Sequence, residues 1–198
     1  MTESEVLYHW KYFLTLEKDL IKLKDYVEIH TDNYDTYSFE LAKLLQLTCA
    51  EVDSVCRIFC NVIDSEVKYA DDSTRDGNIA LYRKIIINEY PKISTVEVTI
   101  PGLDYPIQPW QEWSNGKTPE WWIDYNNVKH YRHISFKRAN LKNTLYSLSA
   151  LMLIIMYLYR KVSGGSYKTP KPHPHFFDSE YFAPYLVCRP NKELPDFE

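Results

Sequence analysis

The stretch that decides the fold runs from residue 118 to residue 162 and reads TPEWWIDYNNVKHYRHISFKRANLKNTLYSLSALMLIIMYLYRKV. Its first half predicts a polar, basic helix, which Thr118 caps, with Pro119 at the favoured first position and Glu120 facing the positive end of the helix dipole. Its second half predicts an almost wholly apolar helix. Because such a helix has to be covered on every side in water, we expect the other helices to surround it.

The apolar helix, residues 141–162, predicts a buried core element and not a membrane anchor. Its run Ala150–Tyr159 holds only apolar and tyrosine side chains, and it is only ten residues long. A bilayer crossing needs about 20 such residues. Extending the run towards the N-terminus brings in Ser147 and Ser149. We therefore expect no membrane partner.

Apolar side chains recur at helical spacing upstream of this pair and predict three further helices, over residues 3–30, 38–67 and 78–90. Val96, Val98 and Ile100 then alternate with polar neighbours, which predicts one short strand. A proline-containing connection leads from there to the fourth helix, residues 119–139.

From residue 163 to residue 198 the chain is rich in proline and predicts an extended tail that wraps over the helices. The whole chain, residues 1–198, is therefore expected to form one all-α domain. We predict a bundle of about five helices, with a short β-strand and loop insertion before the fourth helix and an extended C-terminal tail.

Composition excludes some classes of protein. Apolar residues make up 45% and charged residues 25%, as is ordinary for a globular protein, and only 5 glycines are present. The sequence has neither a G-x-G-x-x-G nor a Walker pattern, which argues against a glycine-rich phosphate loop. Three of the four cysteines (Cys49, Cys56 and Cys60) fall in one predicted helix, the fourth is Cys188, and no C-x-x-C pair occurs. Free cysteines and no signal peptide predict a cytoplasmic protein.

The charge of the chain is distributed unevenly. Residues 118–161 hold seven basic and two acidic side chains, a net charge of +5, whereas the whole chain carries −4 and the remainder therefore −9. The basic segment is either an anion-binding site or the partner of acidic helices within the same domain.

Glu51 and the clustered tryptophans each have two interpretations. Glu51 lies beside the apolar stripe of the second helix, where it either reaches solvent at the edge of the buried face or pairs with Lys129 or Arg132. The tryptophans either fill the core, which we favour, or stack nucleobases. They are Trp110, Trp113, Trp121 and Trp122.

One face of the fourth helix carries the side chains most suited to chemistry. An amide, a cation and two imidazoles recur there at spacings of three and four residues: Asn126, Lys129, His130 and His133. Such a face can contact phosphate, and a histidine is a natural general acid or base near neutral pH. Two other interpretations are open. Asn126 and His130 could be buried polar bridges between helices, or His130 and His133 could bind a metal.

The metal interpretation has little support in the sequence, because no H-E-x-x-H pattern and no third ligand is evident. The His173-Pro-His175 pair likewise lacks cysteines or carboxylates at ligand spacing. We therefore predict no metal site and no cofactor.

The segment Asn126-Asn-Val-Lys-His130, within an all-helical chain and before an apolar final helix, resembles the HEPN superfamily of helical-bundle, nucleotide-binding proteins. Many members are metal-independent ribonucleases of toxin–antitoxin and phage-defence systems, and members are commonly dimeric. The family motif is an arginine, a polar residue and then a histidine. Asn126 falls on the polar position and His130 on the histidine, whereas Tyr125 stands where the family has arginine.

The resemblance implies a mechanism in which the ribose 2′-hydroxyl attacks the adjacent phosphate. It assigns catalytic roles to His130 and Asn126. The substrate-binding residues would be Lys129, Arg132, His133 and Tyr125. It implies RNA or a nucleotide as ligand, a homodimer, and an antitoxin or other protein as partner.

A tyrosine cannot supply the permanent cation of the motif, so the resemblance is to a divergent member. The predicted function is that of a HEPN-like RNA- or nucleotide-interacting protein and endoribonuclease effector of bacterial defence. The alternative is a non-catalytic helical protein-interaction module in which the polar helix is structural.

Overall fold

Five α-helices form in the computed structural model, which describes residues 1–67, 79–164 and 168–182. In chain order they are α1 (Glu3–Leu23), α2 (Phe39–Ile63), α3 (Ile79–Glu89), α4 (Glu120–Ser135) and α5 (Leu141–Val162). The predicted all-α class is confirmed. Residues 71–77, whose turn-forming side chains predict a loop, lie outside the described residues.

The helices begin where the sequence supplies a capping side chain. Thr2 and Glu5 form a reciprocal capping box at α1, and Ser38 and Asn140 accept a backbone hydrogen bond at the starts of α2 and α5. Helix α4 differs from the expectation. Its cap position is Pro119, which makes no side-chain capping bond, so the helix starts one residue later than predicted.

Helix α1 ends at Leu23, earlier than the predicted residue 30. The early end is explained by the burial of two side chains, Leu20 and Ile29. Nine residues of helix rotate by about 900°, so a continuous helix would place these two side chains on opposite faces. Ending the helix at Leu23 allows both to enter the same core.

Helix α5 is the centre of the bundle, as its composition predicts. It packs against α2, α1 and α4, and nearly all of its side chains from Leu141 to Tyr159 are buried. By length and composition alone it could cross a membrane, yet 89% of its most apolar window is buried inside the fold. The burial supports the interpretation of α5 as a core helix.

The predicted strand at residues 95–100 does not form a ladder. Its alternation is real, because Val96, Val98 and Ile100 are buried and their neighbours are exposed. However, the segment pairs only at isolated bridges, Val98 with Ile107 and Thr99 with Asp178. Its first residue, Thr95, belongs to a 3-10 helix. No other segment runs beside it for more than one residue pair, so within the described ranges there is no strand.

The tryptophans of the connection and of α4 fill the core, which confirms the favoured interpretation. Trp110, Trp113, Trp121 and Trp122 are at most 5% exposed. The ring centroids of Trp110 and Trp113 lie 4.0 Å apart. Two indoles also donate hydrogen bonds, Trp110 to the carbonyl of Ala150 and Trp121 to that of Pro109. The connection is thus fastened to α5.

The first part of the tail wraps over α1, as predicted. The buried carboxylate of Glu17 accepts hydrogen bonds from the backbone N–H groups of His175, Phe176 and Phe177, at 2.8–3.3 Å. The indole of Trp10 donates to the carbonyl of Pro172. We call residues 172–177 the strap. Residues 183–198 lie outside the described part of the chain.

Candidate nucleic-acid interface

Helix α4 is kinked at Tyr131, whose φ of −134° and ψ of 38° are not helical. In a straight helix, residues two apart point about 200° away from each other, so His130 and Arg132 would lie on opposite faces. With the kink, the two side chains line one open groove together with Lys129 and His133. The kink therefore brings His130 and Arg132, which a regular helix would hold on opposite faces, to the same side of α4.

The opposite wall of this groove comes from the start of α2. The groove has a volume of about 630 Å³, and its other lining residues are Phe39, Gln46, Val128 and Phe136. We call it the basic groove. Val128 is buried, whereas the four basic side chains are exposed.

A short backbone pairing holds the two walls together. The loop between α1 and α2 pairs with the start of α5: the N–H of Leu141 donates to the carbonyl of Thr36 at 2.9 Å, and that of Lys142 donates to Tyr34 at 3.2 Å. The 3-10 turn Phe136–Arg138, which directly precedes α5, is thereby brought against the first residue of α2. The groove is thus built from segments about 90 residues apart in the sequence.

The groove is positively charged because its cations are not neutralised within the fold. No acidic residue lines it. In the part of the chain that the structure describes, Lys129 and Arg132 form no ion pair with a carboxylate; the Lys129 ammonium lies 5.8 Å from the ring centre of Tyr125. One of our two interpretations was that the basic segment pairs with acidic neighbours in the same domain. This interpretation does not hold for Lys129 and Arg132.

Other cations of the basic segment do pair with acidic side chains. Lys142 contacts Glu120 at 2.9 Å, and Lys161 contacts Glu89 at 2.8 Å. Arg138 contacts the buried Asp124, which also accepts a hydrogen bond from the side chain of Asn143. These pairs join α4 and α3 to α5, so part of the basic excess is structural.

Glu51 pairs with neither Lys129 nor Arg132. Its partner is His9 of α1, whose Nδ1 lies 2.5 Å from Oε1 of the carboxylate. The Glu51 side chain is 16% exposed and so lies at the edge of the buried face. The sequence pattern placed Glu51 correctly at this edge but gave no indication of its partner.

The structure separates the predicted site residues into two groups. Lys129, His130, Arg132 and His133 come together in the basic groove. Asn126 is half-buried and does not line it. The interpretation of His130 as a buried bridge between helices is wrong, because its side chain is exposed.

Tyr125, at the position of the family arginine, is only 6% exposed, and its ring packs against Trp122 with centroids 5.3 Å apart. Burial, together with the nearby Cys49 and Asp53, raises the pKa of its hydroxyl to about 12. The hydroxyl therefore keeps its proton and remains a neutral part of the core between α4 and α2.

Sequence reasoning missed the aromatic residues of the groove, Phe39 and Phe136. Phe39 follows the capping Ser38 and lies outside the apolar stripe of α2. This position was the one feature of the sequence that indicated an exposed ring. The kink itself had no signal, because α4 contains neither proline nor glycine.

Within the described ranges, no cluster of three or more histidine, cysteine, aspartate or glutamate side chains is arranged to hold a metal ion. His173 of the strap contacts the hydroxyl of Thr169 at 3.2 Å. Burial lowers the pKa of this imidazole, which favours its neutral form.

Comparison of the chain with protein-family models, with curated proteins and with solved structures gives no match. What the basic groove can do therefore follows from its own side chains. It offers two permanent cations, two imidazoles and two aromatic rings in a space open to solvent. This combination suits a ligand that carries both phosphate groups and planar bases.

Proposed function

We propose that the basic groove binds RNA or a nucleotide through its phosphate groups, and that the protein is a HEPN-like RNA-interacting protein. One observation carries the proposal. Lys129 and Arg132, three residues apart on α4, line one exposed groove, and no carboxylate of the described chain neutralises either cation. Cations that a fold leaves unpaired are available to the phosphates of a nucleic acid.

Endoribonuclease activity is the catalytic form of this proposal. One imidazole of the pair His130 and His133 removes the proton of a ribose 2′-hydroxyl, and the 2′-oxygen attacks the adjacent phosphorus. The bond from phosphorus to the 5′-oxygen breaks, and the other imidazole protonates that oxygen. The products are a 2′,3′-cyclic phosphate and a 5′-hydroxyl.

The guanidinium of Arg132 stabilises the charge on the phosphate oxygens in this reaction. It would thereby supply the cation that Tyr125 cannot. In this role the protein acts in the cytoplasm as a homodimeric defence effector, and an antitoxin or other protein is its partner.

A second candidate is a non-catalytic protein-interaction module. The specific observation in its favour is the exposure of large apolar side chains in and next to the groove: Phe39, which lines it, is 75% exposed, and Ile134 is 76% exposed. Exposed apolar surface is typical of protein interfaces. This candidate predicts no affinity for RNA at physiological salt.

RNA binding tests the first proposal directly. Fluorescence anisotropy with a labelled mixed-sequence RNA should show an affinity that falls as salt rises from 50 to 200 mM, with a log–log slope of about 0.7 per phosphate contact. The Lys129→Ala/Arg132→Ala double variant should bind more weakly and with a shallower slope. Equal binding by the double variant and the wild type would show that the proposal is wrong.

Lys92→Ala is the matched control for charge removal. Lys92 is exposed in the 3-10 helix that follows α3. That region packs near the far end of α2, where Phe59 contacts Tyr90. Phe59 lies about 30 Å along the helix from Phe39, at 1.5 Å per residue. This variant removes one positive charge, as each single change of the double variant does, and it should bind RNA like the wild type.

Cleavage is tested separately, with cellular RNA in EDTA and with wild type and His130→Ala. Because His130 is exposed, the variant should fold normally. Cleavage by the wild type that is lost in the variant would support the nuclease. Binding without cleavage by either protein would overturn the catalytic form and retain the binding function.

A further inference from the structure

Two phenylalanine rings, the exposed Phe39 and the half-buried Phe136, lie against each other in the basic groove. The ring centroids of Phe39 and Phe136 lie 4.9 Å apart with an angle of 37° between their planes. The ring of Tyr37 lies nearly perpendicular to that of Phe136, at 83°, with 5.4 Å between the ring centroids. We call Phe39 and Phe136, supported by Tyr37, the aromatic shelf.

The core does not need the ring of Phe39. The buried side of α2 is made by the stripe that begins at Leu41, and Phe39 stands outside it with 75% of its surface in contact with solvent. An exposed phenylalanine gains little stability for the fold. Its ring is nevertheless held in place, because Phe136 lies against it and the backbone pairing at Thr36 and Leu141 fixes the relative position of the two segments.

The shelf and the cations line the same space. Lys129 and Arg132 line the groove together with both phenylalanine rings, and no acidic side chain lies among them. A nucleic acid has the complementary arrangement, since its bases are flat and its phosphates are negative. Stacking on aromatic side chains beside a basic groove is how proteins bind single strands without reading their sequence.

We propose that the basic groove takes single-stranded RNA, with one unpaired base stacked on the ring of Phe39 and the adjoining phosphates at Lys129 and Arg132. This inference rests on the proposed function and narrows its substrate class. Duplex RNA cannot supply the same contact, because its bases are already stacked on each other and expose only their edges.

The experiment compares a 12-nucleotide RNA that contains 2-aminopurine with the same strand annealed to its complement. Anisotropy reports affinity, and the 2-aminopurine fluorescence reports stacking because stacking quenches it. The single strand should bind more tightly than the duplex, and its fluorescence should fall on binding. Phosphate contacts alone would not produce this quenching.

Phe39→Leu removes the ring and keeps an apolar side chain. It should weaken single-strand binding by about 5- to 150-fold, the usual effect of losing one stacked base, and abolish the quenching. Phe39→Trp should retain both. Because Phe39 is largely exposed, neither change should alter the melting temperature by more than a few degrees.

Tyr8→Leu is the matched control. Tyr8 is 70% exposed and lies on α1. Glu3, five residues earlier on the same helix, accepts a hydrogen bond from the hydroxyl of Tyr159, at the end of α5 that is far from the groove. Tyr159 and Leu141 are about 27 Å apart along that helix, and Leu141 lies at the end nearest the groove. Tyr8→Leu should therefore leave RNA binding unchanged.

The failure of this inference can be distinguished from that of the proposed function. If Lys129→Ala/Arg132→Ala loses RNA affinity while Phe39→Leu does not, or if duplex and single strand bind equally, the inference is wrong and the binding function stands. If neither set of changes affects RNA affinity, both are wrong. If Phe39→Leu reduces self-association in ultracentrifugation and leaves RNA affinity unchanged, the shelf is a protein contact and the inference is wrong.

Discussion

His9 and Glu51 join α1 to α2 through a contact of 2.5 Å between Nδ1 of the imidazole and Oε1 of the carboxylate. The two side chains are 20% and 16% exposed, so most of their surface is withdrawn from water. The negative charge of Glu51 affects the neighbouring hydroxyl of Tyr12. Burial chiefly raises the pKa of the Tyr12 hydroxyl, and Glu51 raises it further.

Removal of either partner should destabilise the protein, because the remaining polar group would be left without its hydrogen bond. We expect His9→Ala and Glu51→Ala each to lower the free energy of unfolding by about 1–3 kcal/mol. The double variant should lose less than the sum of the two. Urea unfolding of the four proteins measures this coupling, and additive losses would contradict the prediction.

The exposed pair Lys22 and Asp19 is the control for this cycle. Its contact of 2.7 Å is on the surface of α1, where solvent and salt weaken ion pairs. Lys22→Ala should leave the unfolding midpoint nearly unchanged.

Gly102 should tolerate no side chain. Its φ is +95°, and an added Cβ would lie 2.2 Å from the carbonyl oxygen of Ile29, a backbone atom that cannot rotate away. Gly116 is the control, since its φ is +70° but nothing lies within 4 Å of the added atom. Gly116→Ala should cost about 1–2 kcal/mol for the left-handed backbone alone, and Gly102→Ala clearly more. Equal losses in urea unfolding would contradict the clash.

The helical positions could be predicted from the sequence because they depend on local signals. The capping box at Thr2 and the cap at Ser38 are formed by residues within one turn of each other. The burial of α5 follows from its composition, and the alternating burial of Val96, Val98 and Ile100 follows from their spacing. What the sequence could not provide was a partner for that last segment, since pairing depends on where distant residues lie.

The candidate site was only partly predictable for the same reason. Lys129, His130 and His133 were expected to share a face from helical spacing. Arg132 would lie about 200° from His130 in a straight helix, and the kink that changes this is not indicated by any proline or glycine. Phe39 reaches the groove through the pairing between the loop before α2 and the start of α5. Such tertiary contacts leave no periodic trace in a single sequence.

The three cysteines of α2 should be unreactive in the native protein. All three are buried free thiols, and burial raises the pKa of Cys60 to about 12 and those of Cys49 and Cys56 well above the ordinary value. Because the thiolate is the reactive form, native protein in a Cys188→Ser background should release almost no colour from Ellman's reagent at pH 8. Three thiols should react after denaturation. Rapid reaction in the native state would contradict the buried placement.

Alkaline pH should destabilise the fold partly through Tyr125. Its pKa is raised from about 10 to about 12, so the folded state binds this proton more tightly than the unfolded state does. The corresponding stability is complete below pH 10 and is lost as the pH rises from 10 to 12. The melting temperature of Tyr125→Phe should therefore fall less between pH 9 and pH 11 than that of the wild type.

Tyr26→Phe is the control for the alkaline experiment, because Tyr26 is 84% exposed. It should show the same fall in melting temperature as the wild type. If Tyr125→Phe also fell as far as the wild type, the hydroxyl of Tyr125 would have to be solvated in the folded protein.

The strap has a consequence for synthesis on the ribosome. Glu17 receives its hydrogen bonds from residues 158 to 160 positions later, and α1 packs on α5 as well. The apolar face of α1 therefore has no complete partner until about residue 177 has left the exit tunnel. During that interval Trp10 and Phe13 remain uncovered, which makes this nascent segment a natural client for chaperones that hold exposed apolar chains.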